Sequence, residues 1–264
     1  MQAHPSKGEA STHEDWDDQK CAARGNVRCQ LAIPHGGDVP VSTVMGNAHI
    51  SAETRPTVVS IQIGRPTALG GDEPWVTSIL KTPVSAPLML DWLDLEGDEQ
   101  ADLSVHGGRD KAVCVYSSDH FPFWQATLAR PDLGPGAFGE NFTVSGLVEQ
   151  TICLGDVFEI GEAVVQVSQP RSPCWKLGRK WERLDLPKLV LREGRTGWYF
   201  RVLQPGIVAP EQALTLTERP YASWTIAAVN RLAYAKKSEG LQDERRALAE
   251  CPALAESWRA SLRE

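Results

Sequence analysis

The sequence predicts a mainly β fold with flanking helices and a small C-terminal helical module. Three observations carry that prediction. Short β-branched and aromatic runs recur between Gly and Pro turns from Thr57 to Glu218. After Pro220 the pattern changes to three short amphipathic stretches. Hydrophobic residues make up 42% and charged residues 23% of 264 residues, enough apolar matter to bury a core and enough charge to keep it dissolved.

In chain order, TVVSIQI (57–63) is a β-branched strand ended by Gly64, Arg65 and Pro66. VTSILK (76–81) and the run holding Leu88, Leu90 and Leu93 are further short strands. AVCVY (112–116) is a buried one. Ser117, Ser118 and Asp119 can cap a helix over 121–129, with Pro122 tolerated in its first turn. NFTV (141–144) ends at a Ser145-Gly146 turn. DVFEI (156–160) and AVVQVSQ (163–169) flank Gly161-Glu162 as a tight hairpin. Residues 173–184 start a helix after Pro173, and 185–194 form a second that stops at Gly194. GWYFRVL (197–203) and ALTLTE (213–218) complete the strands. In the tail, 224–237 places Ile226, Val229, Leu232 and Ala233 on one helical face. Helices over 243–250 and 253–263 follow, with turns at Gly240 and Pro252. So many short strands imply a barrel or a folded-over sheet.

The chain divides into a polar extension at 1–50, a β domain at 55–219 and a three-helix module at 220–264. The extension reads as disordered, with Met45 as an alternative start. No apolar run reaches the ~20 residues that span a bilayer, and the first 20 residues carry no signal-peptide core. The net charge of −7 argues against a nucleic-acid partner. Six cysteines are too few for a disulfide scaffold, so the expected location is the reducing cytoplasm.

Three segments could carry chemistry. In SQPRSPCWKLGRKW (168–181), Cys174 follows a proline and opens a helix. Both a helix N-terminus and cationic neighbours favour a thiolate. Arg171, Lys176, Arg179, Lys180 and Arg183 stand against Glu182 alone, which suits an anionic ligand, and Trp175 is the tryptophan expected to line a pocket. In SVHGGRDKAV (104–113), Gly107 and Gly108 permit close backbone approach. His106, Arg109 and Lys111 offer donors or cations to a phosphate. In GAFGENFTVSGL (136–147), Asn141 can bond a heterocycle edge and Glu140 can relay a proton. Each segment also has a plain structural reading: a packed cysteine, a glycine turn, a surface loop. Cys114 and Cys153 read as core residues, Cys251 as structural, and Cys21 and Cys29 form no CxxC metal motif.

The ordered set HGGRDKA (106–112), FGEN (138–141), LGD (154–156) and QPRSPCWKL (169–177) resembles the MOSC domain, the module similar to the C-terminal domain of molybdenum cofactor sulfurases. LDLEGDEQADLSVHGG (93–108) and the trailing helices are similar to its YiiM-like branch, and the resemblance covers roughly 57–264. It implies a distorted, mostly antiparallel β-barrel like that of pyruvate kinase. It also implies molybdopterin held by His106, Gly107, Gly108, Lys111, Arg171 and Ser172, with Cys174 as the protein ligand to molybdenum and Glu140, Asn141 and His106 at the reactive face. The implied activity is reduction of N-hydroxylated compounds, such as N-hydroxylated purine bases, to amines. Pyridoxal phosphate is a fold-level association of the family, and no Schiff-base lysine is singled out here. With no flavin, nicotinamide or iron–sulfur motif in the chain, electrons are expected from a separate reductase, for which 221–263 is a candidate docking surface or homodimer element. The alternatives are a persulfide sulfur carrier on Cys174 and a non-catalytic carrier of the cofactor.

Overall fold

Ile61, with Val58, fixes the inward face of the first strand, and the sheet is built outward from that face. The computed structural model describes residues 55–70, 74–235 and 240–263. The extension at 1–50, with Cys21, Cys29 and Met45, lies outside them. The strands are β1 (Thr57–Ile63), β2 (Thr67–Leu69), β3 (Trp75–Thr77), β4 (Thr82–Val84), β5 (Leu88–Leu90), β6 (Val113–Ser117), β7 (Phe142–Ser145), β8 (Val157–Ile160), β9 (Ala163–Pro170), β10 (Trp198–Gln204), β11 (Gly206–Val208) and β12 (Thr215–Glu218). Eight of them form one sheet in the order β12-β8-β9-β10-β6-β7-β1-β4. Its pairs are antiparallel except β6 with β7, which run parallel.

The sheet curls until its margins meet. Val58 N–H donates to Gln212 O at 2.9 Å, Glu211 N–H to Val58 O at 2.7 Å and Leu214 N–H to Pro56 O at 2.8 Å. The segment before β12 thus bonds to β1 and completes a distorted half-barrel. Inside lie Val58, Ile61, Val113, Val115, Phe142, Phe158, Val165, Val167, Trp198 and Phe200. The period-2 alternation of strands then decides what faces outward. Val113 and Val115 point in, so Cys114 and Tyr116 point out; Trp198 and Phe200 point in, so Tyr199 points out.

On that outer face α1 (Phe121–Leu128), α2 (Trp175–Lys180) and α3 (Leu186–Arg192) pack around Tyr116, whose ring stacks on Phe138 at 4.1 Å. The module α4 (Ile226–Tyr234), α5 (Gln242–Ala249) and α6 (Glu256–Arg263) buries Val229, Leu232, Leu248, Leu254 and Cys251 together with Leu154 of the β domain.

The expected strands at 57–63, 112–116, 141–144, 156–160, 163–169, 197–203 and 213–218 all form, and the hairpin turns at Gly161 with φ 58°. A Cβ there would lie 2.5 Å from Ile207 O, so the turn admits only glycine. Differences lie at the short elements. The 76–81 run breaks after Thr77, and Ser78, Ile79 and Lys81 contribute to a cavity wall instead. Leu93 lies beyond β5 and is exposed. The helix at 121–129 is capped indirectly: the Ser117 hydroxyl accepts from Asp119 N–H and closes a one-turn 3-10 helix, Ser118–His120, which leads into α1. On α4, Asn230 is buried, and Ala233 only partly so.

Candidate functional site

β9 runs straight into the cysteine loop, and its neighbours bring the other motifs to the same place. Tyr199 of β10 lies opposite both Gln169 of β9 and Cys114 of β6, and Asn141 N–H donates to Cys114 O at 2.7 Å. This row crosses β9, β10 and β6 and reaches the residue before β7 on the outer face of the sheet. Loops 77–81, 98–107 and 171–176 rise over it as the walls of a cavity that is open to solvent. His106, Gly107, Lys111, Asn141, Arg171, Ser172 and Cys174 all line this cavity. Three segments far apart in sequence therefore converge as expected. Cys114 also lines it, so this thiol faces the site and not the apolar core; burial pushes its pKa up.

Cys174 is the residue before α2, with φ −95° and ψ 165°, and its thiol is half-buried at the cavity wall. Arg171 is 5% exposed. Its Nη2 donates to Phe138 O, while its Nη1 has no partner among the described residues. A buried guanidinium N–H in that state costs free energy until an acceptor arrives. Ser172 Oγ is 2.8 Å from the Tyr234 hydroxyl, so α4 of the helical module reaches the cavity wall.

The HGG turn divides its two glycines by role. Gly107 has φ 79° and lines the cavity, where a Cβ would lie 2.9 Å from Gln100 Oε1. Gly108, with φ 84°, is outside the lining and has open space around it, so its part is conformational only. His106 is not a cation here. Burial, with Lys176, Lys111 and Arg171 nearby, pushes its pKa down to about 4. Lys111 donates to Val105 O at 2.8 Å, and burial lowers its pKa as well. Arg109 points away from the cavity and lies over the Trp92 ring at 5.2 Å. Trp175 is also outside the lining, 46% exposed and 5.5 Å from Trp75.

The His106 shift has a measurable sign. A histidine kept neutral when folded binds fewer protons than in the unfolded chain, so stability is complete above about pH 6.5 and falls toward pH 4. We expect His106→Asn to flatten this part of the pH–stability curve, by about 3 kcal/mol at pH 4. Thermal melts of both proteins between pH 4 and pH 7 measure it; parallel curves would contradict it.

Glu140 corrects an expectation. Its carboxylate is fully buried and accepts from Gly136 N–H at 2.7 Å, Phe138 N–H at 3.0 Å and Thr143 Oγ1–H at 2.9 Å. It lines no part of the cavity. From the other side, Arg171, Trp181 (2.9 Å) and Lys180 (2.6 Å) donate to the carbonyls of Phe138, Ala137 and Gly136. Glu140 is thus the fastener of the 136–138 loop. Asn141 lines the cavity, but its amide is committed. Nδ2 donates to Gln62 O at 3.2 Å and Asp98 Oδ2 at 2.9 Å, and Oδ1 accepts from Cys114 N–H at 3.1 Å. It positions the wall.

Sequence reading missed Lys81, Asp98 and Tyr199, all in the lining. Lys81 and Asp98 form an ion pair with side chains 7% and 1% exposed. Tyr199 lies opposite Cys114 across the strand pair, and burial drives its pKa up. Each is a single polar residue from a separate element, outside the three motifs that stood out. Asp98 lay within LDLEGDEQADLSVHGG, where its charge was visible and its burial was not. Among the described residues no group of three or more His, Cys, Asp or Glu side chains converges on a metal position, and no helix is long and apolar enough to cross a membrane.

The cavity thus faces outward from a curled sheet, with one half-buried cysteine at a loop-to-helix junction and a glycine of the HGG turn in its lining. Residues 102–215 match the MOSC domain and 224–264 match the YiiM-like, 3-alpha helix domain. The chain is 47% identical over 211 residues to the uncharacterized protein YflK of Bacillus subtilis, covering 80% of this chain and 94% of that one. It is 37% identical to protein YiiM of Escherichia coli, covering 71% and 84%. The crystal structure of YiiM from Geobacillus stearothermophilus superposes with a TM-score of 0.66 at 38% identity, over 79% of this chain and 97% of that one. A protein named reductase from Gibberella moniliformis is 34% identical over 215 residues, 78% of this chain but 37% of its own length. The chain belongs to the MOSC family, in the YiiM-like branch that carries the C-terminal three-helix domain.

Proposed function

We propose that this protein is a molybdenum-cofactor-dependent reductase. It would convert N-hydroxylated compounds, N-hydroxylated purine bases among them, to amines, with electrons from a separate reductase. One observation carries the reading: buried Arg171, whose Nη1 has no hydrogen-bond partner among the described residues, lines the same cavity as Cys174. Lys81, Lys111 and Lys176 line it too, so the site suits an anionic group bearing a soft metal. MOSC domains are associated with molybdenum cofactor binding. Arg171, Ser172, Lys111 and Gly107 would hold the anionic part of the cofactor, and Cys174 would ligate the metal. The bound group supplies the two-electron chemistry. Neutral His106 can donate or accept a hydrogen bond at the ligand. The reductase from Gibberella moniliformis matches this chain over only part of its length, which agrees with a division between a substrate-reducing unit and an electron-supplying one.

The test is metal and pterin analysis of protein made in a host that assembles the cofactor, with turnover of an N-hydroxylated purine base under a chemical reductant. About one molybdenum per chain is expected, absent from Cys174→Ala. Metal-free protein with cyanide-releasable sulfur on Cys174 would make it a sulfur carrier instead. Tightly bound cofactor without turnover would make it a carrier of the cofactor.

A further inference from the structure

Reduction of N–OH to N–H and water consumes two electrons and two protons, and the groups first expected to give the protons are committed elsewhere. Both oxygens of Glu140 are held by the 136–138 loop and Thr143, outside the cavity. His106 is neutral above about pH 4 and has no readily lost proton at neutrality. Lys111, which gives one N–H to Val105 O, is assigned to the anionic part of the cofactor and not to proton transfer. Lys81 also lines the cavity, and unlike the other three it is paired, with its side chain nearly closed to solvent, with an almost wholly buried carboxylate in that lining.

Asp98 is itself fixed. Besides Lys81, it accepts from Gly64 N–H at 2.7 Å, Asn141 Nδ2 at 2.9 Å and Gln100 Nε2 at 3.3 Å. An ammonium has three N–H donors, and a carboxylate so supplied engages one of them. Because Asn141 also accepts from Cys114 N–H, the pair is tied to the strand row beneath the cavity.

We propose that Lys81 is the general acid of the reduction, with Asp98 as its positioning residue; the proposal rests on the reductase reading above. Lys81 gives one proton to the hydroxyl oxygen as the N–O bond breaks, so that water leaves. The external reductase supplies the electron pair, the nitrogen takes its second proton from solvent, and the neutral amine of Lys81, still hydrogen-bonded to Asp98, is recharged from solvent through the cavity mouth.

The test compares Lys81→Ala and Lys81→Arg in cofactor-loaded protein. Both should keep wild-type molybdenum and pterin content, and kcat for an N-hydroxylated purine base should fall about 100-fold in each, with KM little changed. Methylamine should restore part of the rate of Lys81→Ala. Arginine keeps the charge but cannot release a proton at neutral pH, so near-wild-type turnover by Lys81→Arg would overturn the proposal. Loss of molybdenum from Lys81→Arg would also overturn it, by making the residue a cofactor anchor. If Lys81→Ala folds poorly with Asp98 unpaired, the double variant Lys81→Met, Asp98→Asn removes both charges at once and should be equally slow; wild-type speed there refutes the role. Wild-type protein that binds no molybdenum and turns over no hydroxylamine overturns the reductase reading first, and the role of Lys81 with it.

Discussion

Glu140→Ala is expected to cost the fold about 3–5 kcal/mol, a fall in Tm of roughly 10 °C. Three donors, the amides of Gly136 and Phe138 and the Thr143 hydroxyl, would lose their acceptor in a region closed to water. The cations on the other side of the loop would lose the facing carboxylate. Lys180, whose pKa burial pushes down to about 8, would then lose the group that supports its charge. Glu140→Gln separates stapling from proton relay. Its amide oxygen can still accept from Gly136 N–H and Thr143 Oγ1–H, but its NH2 would face Phe138 N–H, so only part of the stability should return. Turnover per molybdenum-loaded molecule should equal wild type, since the side chain lies outside the cavity. Melting curves and metal-normalised rates check both statements. Stable Glu140→Gln protein with a collapsed rate would restore Glu140 to the chemistry.

Arg171→Met should do the reverse: spare the apo fold and empty the site. The apo protein already carries an unpartnered Nη1 and the burial of a full charge, so a methionine of similar length removes that cost along with the Phe138 contact. Cofactor retention should fall at least tenfold, because a charge-assisted hydrogen bond contributes about 1.5–3 kcal/mol. Molybdenum content after desalting measures the second effect, and thermal melts of metal-free protein measure the first. Equal metal content in variant and wild type would show that the anion is held elsewhere in the cavity.

Legibility in the sequence followed length and burial. β1, β9 and β10 are seven or eight residues long with apolar faces, and their bounds were readable within a residue or two. β2, β4 and β11 have three residues each, and β4 is built around Pro83, so no period could show. The same physics governed the site. Gly107, Arg171 and Cys174 sit in local patterns whose chemistry is visible residue by residue. Lys81 and Asp98 matter because tertiary structure buries them face to face, and nothing within five residues of either announces that. Glu140 shows the opposite failure: a carboxylate after a glycine loop has the right chemistry for an acid, and only its three donors show that it closes the loop.

The hydrogen bonds that join Pro56 and Val58 to residues 211–214 also set a timetable for synthesis. β1 is among the first strands of the β domain to leave the ribosome, yet its closing partners are made about 150 residues later. At ~5–20 residues per second that is a wait of roughly 8–30 s. Through that interval Val58 and Ile61, buried in the finished fold, lack the segment that closes over them. Closure depends on contacts very distant in sequence, so refolding of the full chain should be slow for its size.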